Sequence, residues 1–492
     1  MNREPAPIAS GPAADGGRSR SSRFALPIAL LGSFAWPGVA QIGRGARALG
    51  ALLAIPQAVL VAGALAAVVG GSSLAIGWFL SPVVLIGIVA LDLVVLATRV
   101  YAMVDAYRRA DATAPGPTRG ASAVLLVVLV LASLGVHGAS AQVAWSAYAT
   151  LTTVFSPGGP QGGAFSDDPT PSPSVARPRP TRSSRPTPTP SPTPPPTPSP
   201  TPRPDWIADG RFNLLLVGAD AGPGRWKLRT DTMILLTVDV ASGRAALIGI
   251  PRNLRYAPMP APLDASFPNG FTDLLNSLWV YVDENPGSYP GDPAIAPFAA
   301  VQDAIGVLTG VHVDAMAVAE LQGFVRAVDA LGGLDIDIPA QVYDARYPAP
   351  DGSGMVELFI PAGSQHLDGW HALAYARTRH QDSDYARMDR QQTVLVALQR
   401  QLRCDLVGRL PELLAVVRDT LWTNLPLDQL SGVVDLAQRI DADRIARLTL
   451  APPSYPQVLD PAAVERIRAA VAEVFASPEP TPGPSADAPD GC

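Results

Sequence analysis

The sequence predicts an α/β fold at the C-terminal end of a chain that begins in a membrane, and three observations carry that reading. Residues 206–476 alternate short Leu-, Ile- and Val-rich runs with segments of helical period, the pattern of layered α/β domains. Long apolar stretches crowd the N-terminal third. Between the two lies near-alternating Pro, Ser and Thr (PTPTPSPTPPPTPSPTPRP), with too few bulky apolar side chains to bury a core.

Composition narrows the class further. A chain of 492 residues with 48% hydrophobic content and a mean hydropathy of +0.19 is too long for one compact domain and too apolar for an ordinary soluble protein. A net charge of −6 argues against a nucleic-acid partner. The basic residues are almost all arginine, with Lys227 the only lysine. Cys404 and Cys492 supply neither a disulfide framework nor a cysteine metal site.

Residues 50–70, 73–97 and 121–143 each approach the roughly 20 apolar residues that span a bilayer as a helix. Phe24 to Ile42 is a fourth candidate, interrupted by Pro27 and Pro37 and flanked by arginines. It reads as re-entrant or interfacial, with a cleavable signal peptide as the alternative. The membrane region, residues 1–156, thus holds three or four transmembrane or re-entrant segments. Arg99, Arg108, Arg109 and Arg119 place their loop in the cytoplasm by the positive-inside rule, so the last span leads outward. The expected location is the cell membrane, multi-pass, with the C-terminal domain extracytoplasmic. Asp92, inside the second span, reads as a residue snorkelling to the cytoplasmic side. Residues 157–205 read as a disordered spacer reaching on the order of 100 Å, and residues 477–492 as a disordered tail.

Within residues 206–476, Phe212 to Val217, Thr232 to Val238 and Leu247 to Ile250 read as buried strands. Phe298 to Leu308 and Val318 to Leu331 read as helices, and Gly332-Gly333 stops the second before a strand over Leu334 to Ile338. Leu373 to Arg379 reads as a strand whose Arg377 and Arg379 share one face.

The chemistry concentrates in YARTRHQDSDYARMDRQQ, which packs Arg377, Arg379, Arg387 and Arg390 among acids. On a helix starting at Asp384, Val394, Leu395, Leu398 and Leu402 form one stripe, with Arg387 and Gln391 in its middle. A buried guanidinium needs an anion, and a helix N-terminus favours one; a phosphate-bearing ligand satisfies both. Asp220 closes NLLLVGAD and Asp231 opens TDTMILLTVD. Carboxylates at neighbouring strand tips can hold a hard divalent cation, although from pattern alone each reads more readily as a turn or cap acid. Arg229 and Arg252 add positive charge near the same strand ends, and Asp384 also fits an N-cap. His366, His371 and His380 lack metal-ligand spacing and read as surface residues.

NLLLVGAD, RTDTMILLTVD, IPRN, DALGGLDIDIP, PAGSQHLDGWHALAYARTRH and DYARMDRQQ occur in the order and spacing of the LytR-CpsA-Psr family of cell-wall phosphotransferases. Residues 211–400 resemble that family. The resemblance implies a membrane-anchored, extracytoplasmic three-layer α/β/α domain with a mixed central sheet. It also implies transfer of a glycan phosphate from a polyprenyl-pyrophosphate glycan to a peptidoglycan acceptor, beside Mg2+. By motif position it puts Asp220 and Asp231 at the metal. It sets Arg229, Arg252, Arg377, Arg379, Arg387 and Gln391 around the diphosphate, with Arg390 and Asp384 in the same signature. As expectations, Arg229, Arg252, Arg377, Arg379, Asp384 and Arg387 are catalytic, while Arg252, Arg377, Arg379, Arg387, Arg390 and Gln391 bind substrate.

The chain departs from the family pattern at Asn253, where an acid commonly follows IPR, before Asn276, where a lysine is absent, and at Ala386, which replaces a glycine. Leu274, Leu275 and Leu278 fit either a polyprenyl groove or the core. A hydrolase using the same charges, or a non-catalytic wall- or lipid-binding protein, is the alternative to a transferase. Asp220, Asp231 and Asp384 are the acids available as a general base.

Overall fold

A computed structural model describes residues 19–69, 80–110, 116–155, 209–219, 229–349, 353–405 and 410–475. The chain divides into two compact units, Met1–Ala149 and Thr150–Cys492. The spacer read over 157–205 lies outside the described residues except as sequence, and so does the tail over 477–492.

In the first unit the segment over Phe24 to Ile42 is two helices, α1 (Ser19–Ala35) and α2 (Val39–Gly43). They are broken at Gly38, whose φ of 94° suits glycine and whose Cα faces Gly50 so closely that a Cβ would meet its carbonyl oxygen at 2.0 Å. Next come α3 (Arg47–Val69), α4 (Pro82–Ala110) and α5 (Gly116–Val154), each long and apolar enough to cross a membrane. Val83, Val124 and Leu131 are 79%, 66% and 61% exposed, the reverse of a soluble protein's pattern and suited to hydrocarbon.

Two expectations change here. Residues 73–79 lie outside the described residues, and the described part of the second span is α4, which runs from Pro82 to Ala110, past the expected end at residue 97. Its polar end is sustained by Asp105, which accepts from Gln41 at 2.9 Å and Arg44 at 3.0 Å. Because α4 runs that far, Asp92 lies well inside the helix instead of near an end. It does not snorkel: it is 5% exposed and hydrogen-bonded to His137 and Ser140.

The second unit is built on a six-stranded mixed sheet. Its strands are β1 (Arg211–Ala219), β2 (Thr230–Asp239), β3 (Ala245–Gly249), β4 (Ala315–Glu320), β9 (Leu421–Thr423) and β10 (Ala446–Thr449), in the order β10-β3-β2-β1-β4-β9. β1 pairs antiparallel with β2 and parallel with β4, so the sheet is neither a meander nor doubly wound. The apolar run in β1 reflects burial on both faces: Leu215 and Val217 enter one core, Leu214 and Leu216 pack into the clusters opposite. The first core includes residues of α6 (Leu278–Glu284), α7 (Ala296–Thr309) and α13 (Pro461–Ala472), with Trp279, Phe298 and Trp422 in ring contact. Leu275 and Leu278 are fully buried there, which favours their reading as core.

The other face meets α10 (Asp384–Asp405), whose Val396 packs with Ile234 and Leu247. Gly249 permits this approach, since a Cβ there would meet Met388 and Gln392 at 2.9 Å. A further core joins α8 (Leu321–Ala330), α9 (Gly369–Arg377) and α10 to the two-stranded ribbons β5 (Leu334–Ile338) with β8 (Gly363–Leu367) and β6 (Val342–Pro348) with β7 (Met355–Ile360). The helices α11 (Leu410–Thr420) and α12 (Leu430–Arg439) complete the unit.

The strands expected over Phe212 to Val217, Thr232 to Val238 and Leu247 to Ile250 are present with ends shifted by one to two residues, and Leu334 to Ile338 has the expected bounds. Two elements differ in type. Val318 to Leu331 is the end of β4 followed by α8, because Glu320 leaves the strand and caps the helix, accepting from Gln322 N and Gly323 N at 2.9 Å each. Leu373 to Arg379 is not a strand: α9 starts at an Asp368 cap and buries Ala372 through Ala376, so packing on more than one side removes the polar face that would reveal its period.

Candidate active site

The ends of β1 and β3 and the start of β2 meet at one edge of the sheet, and the first turn of α10 sits against it. Asp231, second residue of β2, accepts on Oδ1 from Arg252 at 2.7 Å and from Asn276 at 3.0 Å. Arg252 follows β3, held there by Asn276 N donating to its carbonyl oxygen at 3.0 Å. Burial pushes the Asp231 carboxyl up, but the charge and hydrogen bond of Arg252, the Asn276 amide and the charge of Arg387 outweigh it, and the group lies below the usual carboxylate range.

Ser383 begins α10, its Oγ accepting from Ala386 N at 3.2 Å. Three arginines surround Asp384 one residue later: Arg387 at 3.1 Å, Arg379 at 3.4 Å and Arg252 at 3.7 Å. The expected stripe of α10 is present, with Val394 buried and Arg387 and Gln391 buried beside it. Arg387 Nη2 donates to the Asp231 carbonyl oxygen at 3.4 Å, while its Nε is buried without a hydrogen-bond partner among the described residues. Burial pushes the Arg387 guanidinium down to about 10, Arg252 and Arg379 add to the effect, and Asp384 and Asp231 oppose it. It remains a cation at neutral pH. Gln391 donates to Thr232 Oγ1 at 2.9 Å and to the Ala376 carbonyl oxygen at 3.3 Å, tying α10 to β2 and to α9.

The expected residues therefore separate into groups. Asp231, Arg252, Arg379, Asp384, Arg387 and Gln391 converge. Arg377 ends α9 and hydrogen-bonds with Tyr347 of β6, so it and Arg379 leave a helix end and a loop rather than one strand face. Arg390 points the other way. It donates to the carbonyl oxygens of Tyr375 and Thr378 and to the carboxylate of Asp382, which fixes the loop between α9 and α10 and occupies its donors with protein. Arg229 is exposed just before β2. Asp220 lies outside the described residues; Ala219, its neighbour, pairs with Thr230, one residue from Asp231.

Sequence reasoning assigns no role to Asn276, Thr232 or Asp382. Asn276 is 3% exposed among leucines, and a polar residue inside such a run is the signal that could have found it. Asn253 contacts the hydroxyl of Tyr385, placing it beside the first turn of α10. His366, His371 and His380 are exposed, as expected. Among the described residues no group of three or more His, Cys, Asp or Glu is arranged to hold a metal ion.

Among the described residues three arginines, Arg252, Arg379 and Arg387, meet two carboxylates, Asp231 and Asp384, at this edge. Such an arrangement binds an anion with several oxygens, and phosphates fit guanidinium forks best.

The sequence pattern of the LytR_cpsA_psr family matches residues 191–459, more than half of the chain. Biofilm regulatory protein A of Streptococcus mutans is 27% identical over 238 residues, which are 45% of this chain and 52% of that protein. The polyisoprenyl-teichoic acid–peptidoglycan teichoic acid transferase TagU of Halalkalibacterium halodurans is 26% identical over 224 residues, 45% of this chain and 63% of the relative. The match thus spans about half to two thirds of these relatives' length. The crystal structure of Bacillus subtilis TagV aligns with a TM-score of 0.40 at 20% identity, over 55% of this chain and 98% of that one.

Proposed function

The chain belongs to the LytR_cpsA_psr family, and from that premise we propose that it transfers a glycan phosphate from a polyprenyl-pyrophosphate carrier to peptidoglycan at the outer side of the cell membrane. The observation that supports this reading most is the convergence of Arg252, Arg379 and Arg387 on Asp231 and Asp384, with more cations than carboxylates among the described residues. An acceptor hydroxyl attacks the sugar-side phosphorus, the bond to the bridging oxygen breaks, and polyprenyl phosphate leaves. Arg387, buried with an unused Nε–H, holds a non-bridging oxygen. Arg379, half-exposed, reaches the phosphates from the loop side, while Arg377, at the end of α9, hydrogen-bonds with Tyr347. Each bidentate arginine contact is worth about 1.5–3 kcal/mol. Asp384 orients three guanidinium groups at once, Gln391 fixes α10 against β2, and Arg390 holds the loop that carries Arg379. A carboxylate held as low as that of Asp231 is a poor base, which assigns it to charge placement rather than proton abstraction.

A hard divalent cation such as Mg2+ would be held by Asp231 at the start of β2 together with Asp220, which the sequence puts at the end of NLLLVGAD and which lies outside the described residues. When bound, that ion neutralises phosphate oxygens. Asp231→Asn should slow metal-dependent turnover at least tenfold. At neutral pH it should also lower stability by about 1 kcal/mol, by replacing the carboxylate that pairs with Arg252 with a neutral amide. A depressed carboxylate pKa contributes stability that is present above the unfolded value near ~3.9 and lost as pH falls through the folded value. The wild-type advantage should therefore shrink below about pH 4. Denaturation at pH 7 and pH 3, with turnover measured against added chelator, checks both arms; turnover indifferent to chelator removes the metal from the account.

The donor is tested by mass spectrometry of lipid co-purifying with the full chain. Polyprenyl diphosphate bearing a glycan is expected, and its replacement by ordinary phospholipid alone contradicts the proposal. Topology has its own check: protease added to intact spheroplasts should release a fragment beginning near Asp205, and a fragment appearing only after lysis reverses the assignment.

A further inference from the structure

Inside the membrane unit, α4 and α5 share a polar cluster that the proposed reaction does not use. Asp92 Oδ1 lies 2.8 Å from His137 Nδ1 and accepts from Ser140 Oγ at 3.0 Å. Asp92 and His137 are only 5% and 6% exposed. Asp92 Oδ2 and His137 Nε2 are both buried without a hydrogen-bond partner among the described residues. Ionisable groups at such a depth are expensive and mark a function when they are kept.

Charge counting defines what the pair can hold. With one proton on the pair, between Asp92 Oδ1 and His137 Nδ1, the carboxylate and the imidazole together carry one negative charge; a second proton, on His137 Nε2, makes the pair neutral overall. Without the second proton a net negative charge stays among apolar helices, and a third would leave an uncompensated cation. A clamp that only joined two helices would satisfy its polar atoms, whereas an unsatisfied buried polar atom costs about 1–3 kcal/mol. Here one atom of each partner is left unused, and these two atoms are an acceptor and a proton-binding nitrogen.

We infer that Asp92 and His137 form a proton-binding site within the membrane unit. One proton is shared by Asp92 Oδ1 and His137 Nδ1, and the next, drawn from water, is taken at His137 Nε2 and returned there. Ser140 sets the basicity of the carboxylate by donating to the same oxygen as His137. Other charged and titratable groups on these helices are few. On α4 these are Tyr101, Asp105, Tyr107, Arg108, Arg109 and Arg99, whose field reaches Asp92 but which donates to Gln57 at 2.7 Å. On α5 they are Arg119 and Tyr148, about 27 Å and 16 Å along the helix from His137. α1 carries Arg20 and Arg23, α3 carries Arg47, and α2 carries none.

The test uses the full chain, labelled with 15N-histidine, in lipid nanodiscs. Its five histidines make assignment direct, since the His137 signals are those missing from His137→Gln. His137 should change by one proton between about pH 5 and pH 9, and Asp92→Asn should lower the midpoint by more than about one pH unit. Ser140→Ala, a milder change that strips a donor from the carboxylate, should raise it and serves if Asp92→Asn fails to assemble. A His137 that keeps one protonation state across the range overturns the inference, as does a midpoint indifferent to both variants.

Discussion

Arg387→Ala is expected to lower glycan-phosphate transfer by about a hundred- to a thousandfold, the scale of losing one preorganised charge contact in a transition state. Its stability should stay within about 1 kcal/mol of wild type, because a mostly buried guanidinium with an unpartnered Nε is removed together with its desolvation cost. Asp384 is not stranded by the change, since Arg379 at 3.4 Å and Arg252 at 3.7 Å remain. Binding of a polyprenyl diphosphate analogue and chemical denaturation separate the two effects. Unchanged affinity with reduced stability would show that Arg387 serves packing.

Arg390→Ala should give the opposite signature. Its guanidinium joins two backbone carbonyls in buried hydrogen bonds and the exposed carboxylate of Asp382, and its removal takes the donors from those two carbonyls. A loss of about 3 kcal/mol is expected, the scale of two charge-assisted hydrogen bonds to buried carbonyls. Activity falls as well, through misplacement of Arg379. Arg390→Lys cannot reproduce the fork and should recover little of the loss. Denaturation midpoints for the two alanine variants, measured side by side, should differ by at least about 2 kcal/mol; equal midpoints would contradict the division between ligand-facing and loop-holding arginines.

That division marks the limit of sequence reading here. The convergence of Arg387 and Gln391 was legible because both interrupt an apolar stripe of one helix, and helical period is local information. Arg390 is three residues further along the same helix, and its direction depends on where the α9–α10 loop passes. The loop was misplaced because Leu373 to Arg379 alternates small and large apolar residues as a strand does, while α9 buries them by packing against α8 and α10. The central strands were readable, since burial on both faces makes continuous apolar runs, whereas β4 passed for helix because AMAVAE continues directly into α8. Asp92 was misjudged for a related reason: apolar composition ends near residue 97, but the helix continues on polar contacts to Ala110.

The most direct measurement supplies the full chain with a polyprenyl-pyrophosphate-linked glycan, Mg2+ and peptidoglycan oligomers, and follows the products by mass spectrometry. The account predicts a phosphodiester between the glycan and a wall sugar, with polyprenyl phosphate released in equal amount. Free glycan phosphate as the sole product in the presence of abundant acceptor would contradict it in favour of hydrolysis, and a well-folded protein that consumes no lipid donor would contradict it altogether.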